Sequence, residues 1–166
     1  TSLNNLALLH VTQGRHAEAA PLFARALAIE EKALGAEHPS VATDLNNMGL
    51  LYASQGDFDR AEPFYRRALA IRERGLGPEH PDVATTLTNL AGLRHEQGKH
   101  REAVFLYRRA CEIREKAFGP EHPQVAESLE NYAALLRAMD HERMATALEA
   151  RAEAIRAKLT QAASVK

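Results

Sequence analysis

Gly77-Pro78-Glu79-His80-Pro81 decides how this sequence folds, because related stretches lie 42 residues away on both sides, beginning at Gly35 and Gly119. Residues 35–76 and 77–118 match at 20 of 42 positions without a gap. A fixed period of about 20 to 50 residues is typical of repeat architectures. We therefore divide the sequence into a partial first copy at 1–34, full copies at 35–76, 77–118 and 119–160, and a tail at 161–166.

Each full copy carries two runs of apolar residues at helical spacing. In the second copy these runs are Val41, Leu45, Met48, Leu51 and Tyr52, then Ala61, Phe64, Tyr65, Ala68, Leu69 and Ile71. A proline suits the first turn of a helix, and a glycine suits the residue after its end. We predict eight helices in antiparallel pairs. We also expect His38, His80 and His122 to cap the helix that follows each of them.

Small residues form columns that let the helix axes approach closely. These columns are Ala19, Ala61, Ala103 and Ala145; Ala26, Ala68, Ala110 and Ala152; and Ala7, Gly49, Ala91 and Ala133. An aromatic column of Phe23, Tyr65 and Tyr107 should pack against the first helix of the following copy. Glu149 takes this place in the fourth copy, which predicts a polar-faced capping helix and no fifth repeat. Because the sequence starts partway through a copy, we expect it to belong to a longer protein.

The composition restricts the classes of function. A formal net charge of −1 gives no basic excess for binding nucleic acid or an anionic membrane. The single Cys111 cannot form an intrachain disulfide, and its position on an apolar helix face predicts a small buried residue. No apolar run approaches the roughly 18 residues needed to span a bilayer. We therefore expect a cytoplasmic protein that binds neither nucleic acid nor membrane.

The pattern resembles the tetratricopeptide repeat in Leu45, Gly49, Tyr52, Ala61, Tyr65 and Ala68. The 42-residue period, the run Leu-Asn-Asn-Leu-Ala-Leu-Leu at 3–9 and the Gly-Pro-Glu-His-Pro linkers are similar to the repeats of kinesin light chains and their bacterial relatives. The resemblance implies an all-α fold, a right-handed α-α superhelix of four helix-turn-helix repeats with the first one truncated. It also implies that the first helices line a concave groove that holds peptide segments of partner proteins. The fourth copy departs most from the pattern, with Leu136 in the place of Tyr52 and Asp140 in the place of a turn glycine.

Asparagine fills one column of the predicted first helices, at Asn5, Asn47, Asn89 and Asn131. A side-chain amide both donates and accepts, so a ladder of amides could bind the main chain of an extended peptide. The same amides could instead bond to neighbouring backbone groups of their own chain, and the sequence leaves both roles open. The other predicted groove residues are Asn4, Leu8, Thr43, Asn46, Leu50, Ser54, Thr85, Thr88, Gly92, His95, Glu96, Glu127, Glu130 and Arg137.

The charges of the predicted groove indicate what kind of peptide it suits. It lacks the lysines and arginines with which some tetratricopeptide domains capture a terminal carboxylate. Its N-terminal half is neutral and its C-terminal half is acidic, which favours a polar peptide with basic residues toward the third and fourth copies.

The sequence gives no indication of catalysis. It contains no nucleophile elbow, phosphate loop or metalloprotease helix. His38, His80 and His122 recur once per copy, too far apart to share one metal ion, and His95 and His100 lack a third ligand. We predict no catalytic residue, no metal and no cofactor.

The sequence thus favours a protein–protein interaction module that binds a peptide in a groove. The alternative is a structural or oligomerisation spacer arm of a larger regulatory protein. Such an arm would self-associate through the open N-terminal face that carries Leu3, Leu6 and Leu9.

Overall fold

Eight α-helices form the fold over the residues that a computed structural model describes, 2–164 for the backbone and 2–161 for the side chains. They are α1 (Ser2–Thr12), α2 (His16–Leu34), α3 (Pro39–Ser54), α4 (Phe58–Leu76), α5 (Pro81–Glu96), α6 (His100–Phe118), α7 (Pro123–Ala138) and α8 (Glu142–Ser164). No strand occurs in this part of the chain. The predicted all-α repeat fold is confirmed, with one pair of helices in each copy.

The first helix of each full copy begins at the proline that the sequence predicted, and a histidine precedes it. The backbone N–H of Ser40 donates to Nδ1 of His38 at 3.1 Å. The same bond joins Asp82 to His80 at 3.2 Å and Gln124 to His122 at 3.3 Å. Each cap satisfies one of the amide groups that the start of a helix leaves without a partner. The predicted capping role of these histidines is confirmed.

The second helices end where the sequence predicted, before a glycine with positive φ. Gly77, for example, has φ 91° and lies directly after α4. At the turn before α8 a glycine is replaced by Asp140, which still adopts φ 61°, a conformation that a short polar side chain tolerates. The last helix runs on to Ser164, past the predicted end of the fourth copy at residue 160, because no proline or glycine interrupts it. The final two residues of the predicted tail lie outside the described part.

Two compact units divide the chain, one within residues 1–78 and the other within residues 79–166. In the first unit, the buried ring of Phe23 lies in a cluster with Met48 and Leu51 of α3. This contact confirms that the aromatic residue of the first copy packs against the first helix of the second. A further cluster joins Val41 and Leu45 of α3 to residues of α4.

The second unit repeats this arrangement. Tyr107 of α6 lies with Leu135 of α7, so the third copy also packs its aromatic residue against the next first helix. Cys111 is buried in a cluster with Val125 and Ile155, which confirms it as a small apolar core residue. Burial raises the pKa of its thiol to about 11.

A buried arginine joins α6 to α7. Arg114 is only 5% exposed, and its guanidinium donates to Oγ of Ser128 at 2.6 Å and to the carbonyl of Gln124 at 3.4 Å. Burial lowers the pKa of this guanidinium. Such a charge is tolerated inside a protein only where hydrogen bonds satisfy it. Among the described helices none combines the length and the apolar character that crossing a membrane requires.

Candidate functional site

An accessible strip runs along one face of α3. Thr43, Asn47, Leu50 and Ser54 follow one another at intervals of four, three and four residues, which places them on a single helix face. Leu50 is 38% exposed, although it is apolar, and Asn47 is half-buried. No hydrogen bond of the Asn47 side chain is found within residues 2–161. The α3 strip therefore offers a polar amide beside an exposed apolar contact.

The ends of the α3 strip are bonded within the first unit. Oγ1 of Thr43 accepts from Arg72 at 3.3 Å. The Ser54 hydroxyl donates to the carbonyl of Leu51 at 2.7 Å and lies 3.3 Å from Nδ1 of His16. These bonds fix both hydroxyls, so the adaptable polar group of the strip is the Asn47 amide.

Two asparagines of the predicted groove are buried. Asn4 is 6% exposed and donates through Nδ2 to the carboxylate of Asp44, which joins α1 to α3. Asn46 is 8% exposed. This burial removes both side chains from the set that could touch a peptide directly. Asn5 is exposed, and Leu8 is half-buried against the cluster of Phe23.

Asp44 is a polar core residue that the sequence reasoning missed. Burial raises the pKa of its carboxyl; the hydrogen bond from Asn4 opposes this shift and the nearby Glu30 adds to it. In the later copies a hydroxyl stands in its place, at Thr86 and Ser128. Comparison of the copies could have found Asp44, because its column otherwise holds hydroxyl residues. A second column differs as well, since the first copy has Glu30 where the next two copies have Arg72 and Arg114.

The predicted site residues of α5 are mostly engaged within the second unit. The hydroxyl of Thr88 donates to the carbonyl of Ala84 at 3.0 Å, and that of Thr85 to the carbonyl of Pro81 at 3.5 Å. Asn89 interacts with another group of the chain. The ring of His95 lies 5.2 Å from that of His100. Gly92, in the middle of this face, is half-buried and has no side chain.

The exposed face of α7 carries a second half-buried amide without a partner among the described residues. Asn131 is half-buried, and its side chain makes no hydrogen bond in the described part of the chain. Its neighbour Glu130 receives two hydrogen bonds from Arg156, both 2.6 Å long. The bonds from Arg156 hold the pKa of the Glu130 carboxyl below its usual range. Arg137, further along α7, pairs with Glu149 at 2.7 Å.

These ion pairs reduce the acidity that the sequence predicted for the second half of the groove. Arg156 compensates the charge of Glu130, whereas Glu96 and Glu127 are exposed and form no ion pair among the described residues. The described residues also bring no three histidine, cysteine or acidic side chains together as metal ligands would be.

The sequence profile of the tetratricopeptide repeat family matches residues 1–74 and 45–116. The chain belongs to the tetratricopeptide repeat family. Tetratricopeptide repeats are generally protein–protein interaction modules. No curated protein matches the sequence significantly.

Solved structures of kinesin light chain-like repeat proteins resemble this tetratricopeptide chain. BtubC (BKLC) from P. vanneervenii is 29% identical with a TM-score of 0.83; the match covers 95% of this chain and 63% of that chain. The repeats of a protein assigned as a kinesin light chain in Podosopora anserina are 28% identical, with a TM-score of 0.74 and coverage of 95% and 75%. A single-substitution variant of those repeats gives a TM-score of 0.78, with the same identity and coverage of 96% and 76%. This chain thus spans less than two thirds of BtubC.

Proposed function

We propose that this chain binds an extended peptide segment of a partner protein on the exposed faces of its first helices. The observation that carries the proposal is the pair of amides at Asn47 and Asn131. Both are half-buried, both lie on accessible faces, and neither side chain has a hydrogen-bond partner in the described residues. A polar group held in this way is available to a ligand.

The binding follows from the chemistry of the amide. Oδ1 accepts from a peptide N–H while Nδ2 donates to a peptide carbonyl, so one side chain can bind the main chain without selecting a sequence. On α3, the exposed Leu50 adds an apolar contact beside Asn47. On α7, Glu127 favours a basic residue of the peptide nearby. We expect a Kd in the micromolar range, about −8 kcal/mol, after the cost of ordering the peptide.

Docking of this kind requires no reaction. Tetratricopeptide and kinesin light chain-like folds are generally scaffolds without catalysis. We place the function in the cytoplasm, because a reducing compartment suits a chain whose single cysteine, Cys111, is a free thiol.

A peptide-library pull-down tests the proposal with the wild type and with a double variant, Asn47→Ala and Asn131→Ala. Circular dichroism first shows whether both are equally helical. The matched control is Arg66→Ala, which changes an exposed residue of the second helix of its copy. We expect the double variant to lose peptides that the wild type and the control retain. Equal capture by all three proteins would mean that the amides do not contact the ligand.

A second candidate function is assembly through α1. Leu6 and Leu9 are 45% and 50% exposed, and large exposed apolar side chains mark surfaces that another protein covers. The surface fits a further repeat or a second copy of the chain. Sedimentation of the wild type and of a Leu6→Glu, Leu9→Glu variant separates these cases, since a self-associating chain would become monomeric in the variant. A wild type that is monomeric at all concentrations would exclude self-association.

A further inference from the structure

A cavity of about 340 Å³ opens to solvent between α6, α7 and the start of α8, entirely within the second unit. Its apolar lining is Val104, Phe105, Tyr132, Leu136, Met139 and Met144. Arg101 and His141 complete the lining, and both are exposed. The volume lies in the range of about 300–1,000 Å³ that ligand pockets occupy. We call this cavity the α6–α8 pocket.

The pocket exists because Leu136 stands where the earlier copies have longer polar or aromatic side chains. In the first unit the place belongs to Tyr52, whose ring lies 5.5 Å from that of Phe64 and 4.9 Å from the guanidinium of Arg60. Phe64 and Arg60 thus both pack on the Tyr52 ring. The short side chain of Leu136 leaves the corresponding space open.

The third copy fills the same place in a different way. Arg94 stands there, 4% exposed, and donates to Gln97 at 2.6 Å and to the carboxylate of Glu102 at 3.0 Å. In the fourth copy Met139 replaces Gln97 and Met144 replaces Glu102. Three polar side chains have therefore become apolar around one opening.

Large apolar surfaces remain in water around the α6–α8 pocket. Phe105 is 66% exposed and Met144 is 54% exposed. An apolar opening rimmed by polar residues marks an interaction site, and methionine adapts its shape to different partners. The exposed Phe105 also differs from the earlier copies, which have Pro21 and Pro63 at this position.

The charges around the pocket indicate an acidic partner. No acidic side chain lines it, whereas Arg101 and His141 do. The guanidinium of Arg108 lies 4.9 Å from the centre of the Phe105 ring. Two acidic residues near the pocket in sequence are engaged elsewhere, Glu102 by Arg94 at 3.0 Å and Glu142 by Arg137 at 3.3 Å. Asp140, between Met139 and His141, is exposed but does not belong to the lining. Arg101 forms no ion pair among the described residues.

We propose that the α6–α8 pocket is a second docking site, which takes one large apolar side chain of an acidic peptide segment from a partner protein. The flanking carboxylates of that segment bind Arg101. This site is separate from the amide of Asn131, because Leu136 lies on a different face of α7. The inference therefore stands whether or not the first helices bind peptide.

The test uses synthetic fluorescent peptides in which one phenylalanine, leucine or tryptophan is flanked on both sides by glutamates. Matched peptides carry glycine at the apolar position or lysines in place of the glutamates. The pocket variant combines Met139→Gln and Met144→Arg, which restores the residues of the second copy at 55 and 60. Arg101→Glu is a second variant at an exposed position, and Asn131→Ala tests whether the peptide instead uses the amide on α7. The control is Arg66→Ala at an exposed position of α4.

We expect the acidic apolar peptide to bind the wild type and the Arg66→Ala control equally. The pocket variant should raise its Kd by about tenfold or more, as the loss of an anchor contact does. Arg101→Glu should also weaken it, and this loss should shrink at high salt.

Three results would overturn the proposal. The first is equal binding of the glycine or lysine peptides, or no binding of any peptide by the wild type. The second is loss of binding in Asn131→Ala but not in the pocket variant. The third is a wild-type dimer in sedimentation that Met144→Arg dissociates, because a second copy would then occupy the pocket.

Discussion

Gly49 of α3 lies so close to the ring of Tyr65 on α4 that a Cβ atom at residue 49 would come within 2.6 Å of Tyr65 Cε1. Tyr65 is almost completely buried, so the ring cannot move aside without disturbing the core. The other copies have alanine at this position, at Ala7, Ala91 and Ala133. The second copy therefore depends on glycine for its closest helix contact.

Gly49→Ala should destabilise the protein for this reason. Overpacking costs about 1–3 kcal/mol, and the gain in helix propensity returns no more than about 1 kcal/mol, so we expect a net loss of about 1–2 kcal/mol. Urea denaturation measures it. The matched control is Gly92→Ala in the middle of α5, where the nearest atom, the Tyr107 hydroxyl, would be 3.6 Å from the new Cβ. That change should be neutral or stabilising. Equal effects at both positions would contradict the packing argument.

Asp44→Asn should stabilise the first unit increasingly as the pH rises. Because burial raises the pKa of Asp44 above 3.8, the protonated carboxyl is favoured in the folded state. The stabilisation that the protonated Asp44 carboxyl contributes is fully present below its ordinary pKa of 3.8. It is lost as the pH rises through the higher pKa of the folded state. The difference between variant and wild type, measured in urea at several pH values, should grow in this direction.

The exposed Asp59 supplies the control for that measurement. Asp59→Asn should give no such growth. A stability difference for Asp44→Asn that is the same at pH 4 and pH 7 would show that the Asp44 carboxyl is not the source of the effect.

His80→Ala should cost about 0.5–2 kcal/mol of stability, because the N–H of Asp82 loses its acceptor at the start of α5. His80→Asn keeps a capping acceptor and should restore most of this loss. Thermal unfolding of the two variants compares them directly. If alanine and asparagine behave alike, the cap contributes nothing measurable.

Cys111 should react slowly with thiol reagents at pH 8 in the folded protein. Its thiol is buried and its pKa is raised to about 11, so little reactive thiolate is present. The rate with a colorimetric disulfide reagent should rise by orders of magnitude in urea. A native rate equal to the denatured rate would mean that the buried cluster of Cys111, Val125 and Ile155 opens readily.

Much of the fold could be predicted because short local stretches of sequence determine the ends of the helices. The proline after His80 and the glycine at 77 define helix ends within a few residues, and the 42-residue period repeats them. The burial of Asn4 could not be predicted, since it depends on Asp44, 40 residues away. The pairing of Glu130 with Arg156 likewise joins different helices.

The sequence therefore predicted which helix faces are accessible, but it did not predict which side chains on them are buried or paired. Periodicity places Asn47 and Leu50 on one accessible face of α3, which the structure shows. The spacing of apolar residues does not indicate a cavity. The α6–α8 pocket depends on the short side chain of Leu136 and on the side chains around it.

In the proposed function, the amides of Asn47 and Asn131 bind the main chain of a peptide. The most direct measurement is the NMR signal of their side-chain NH₂ groups during titration with a peptide selected from the library. We predict that both signals shift and saturate with the same Kd as the peptide itself, while the side-chain NH₂ of the exposed Gln13, in the turn after α1, serves as an internal reference. Saturation of binding with both amide signals unchanged would contradict the claim and place the peptide elsewhere on the protein.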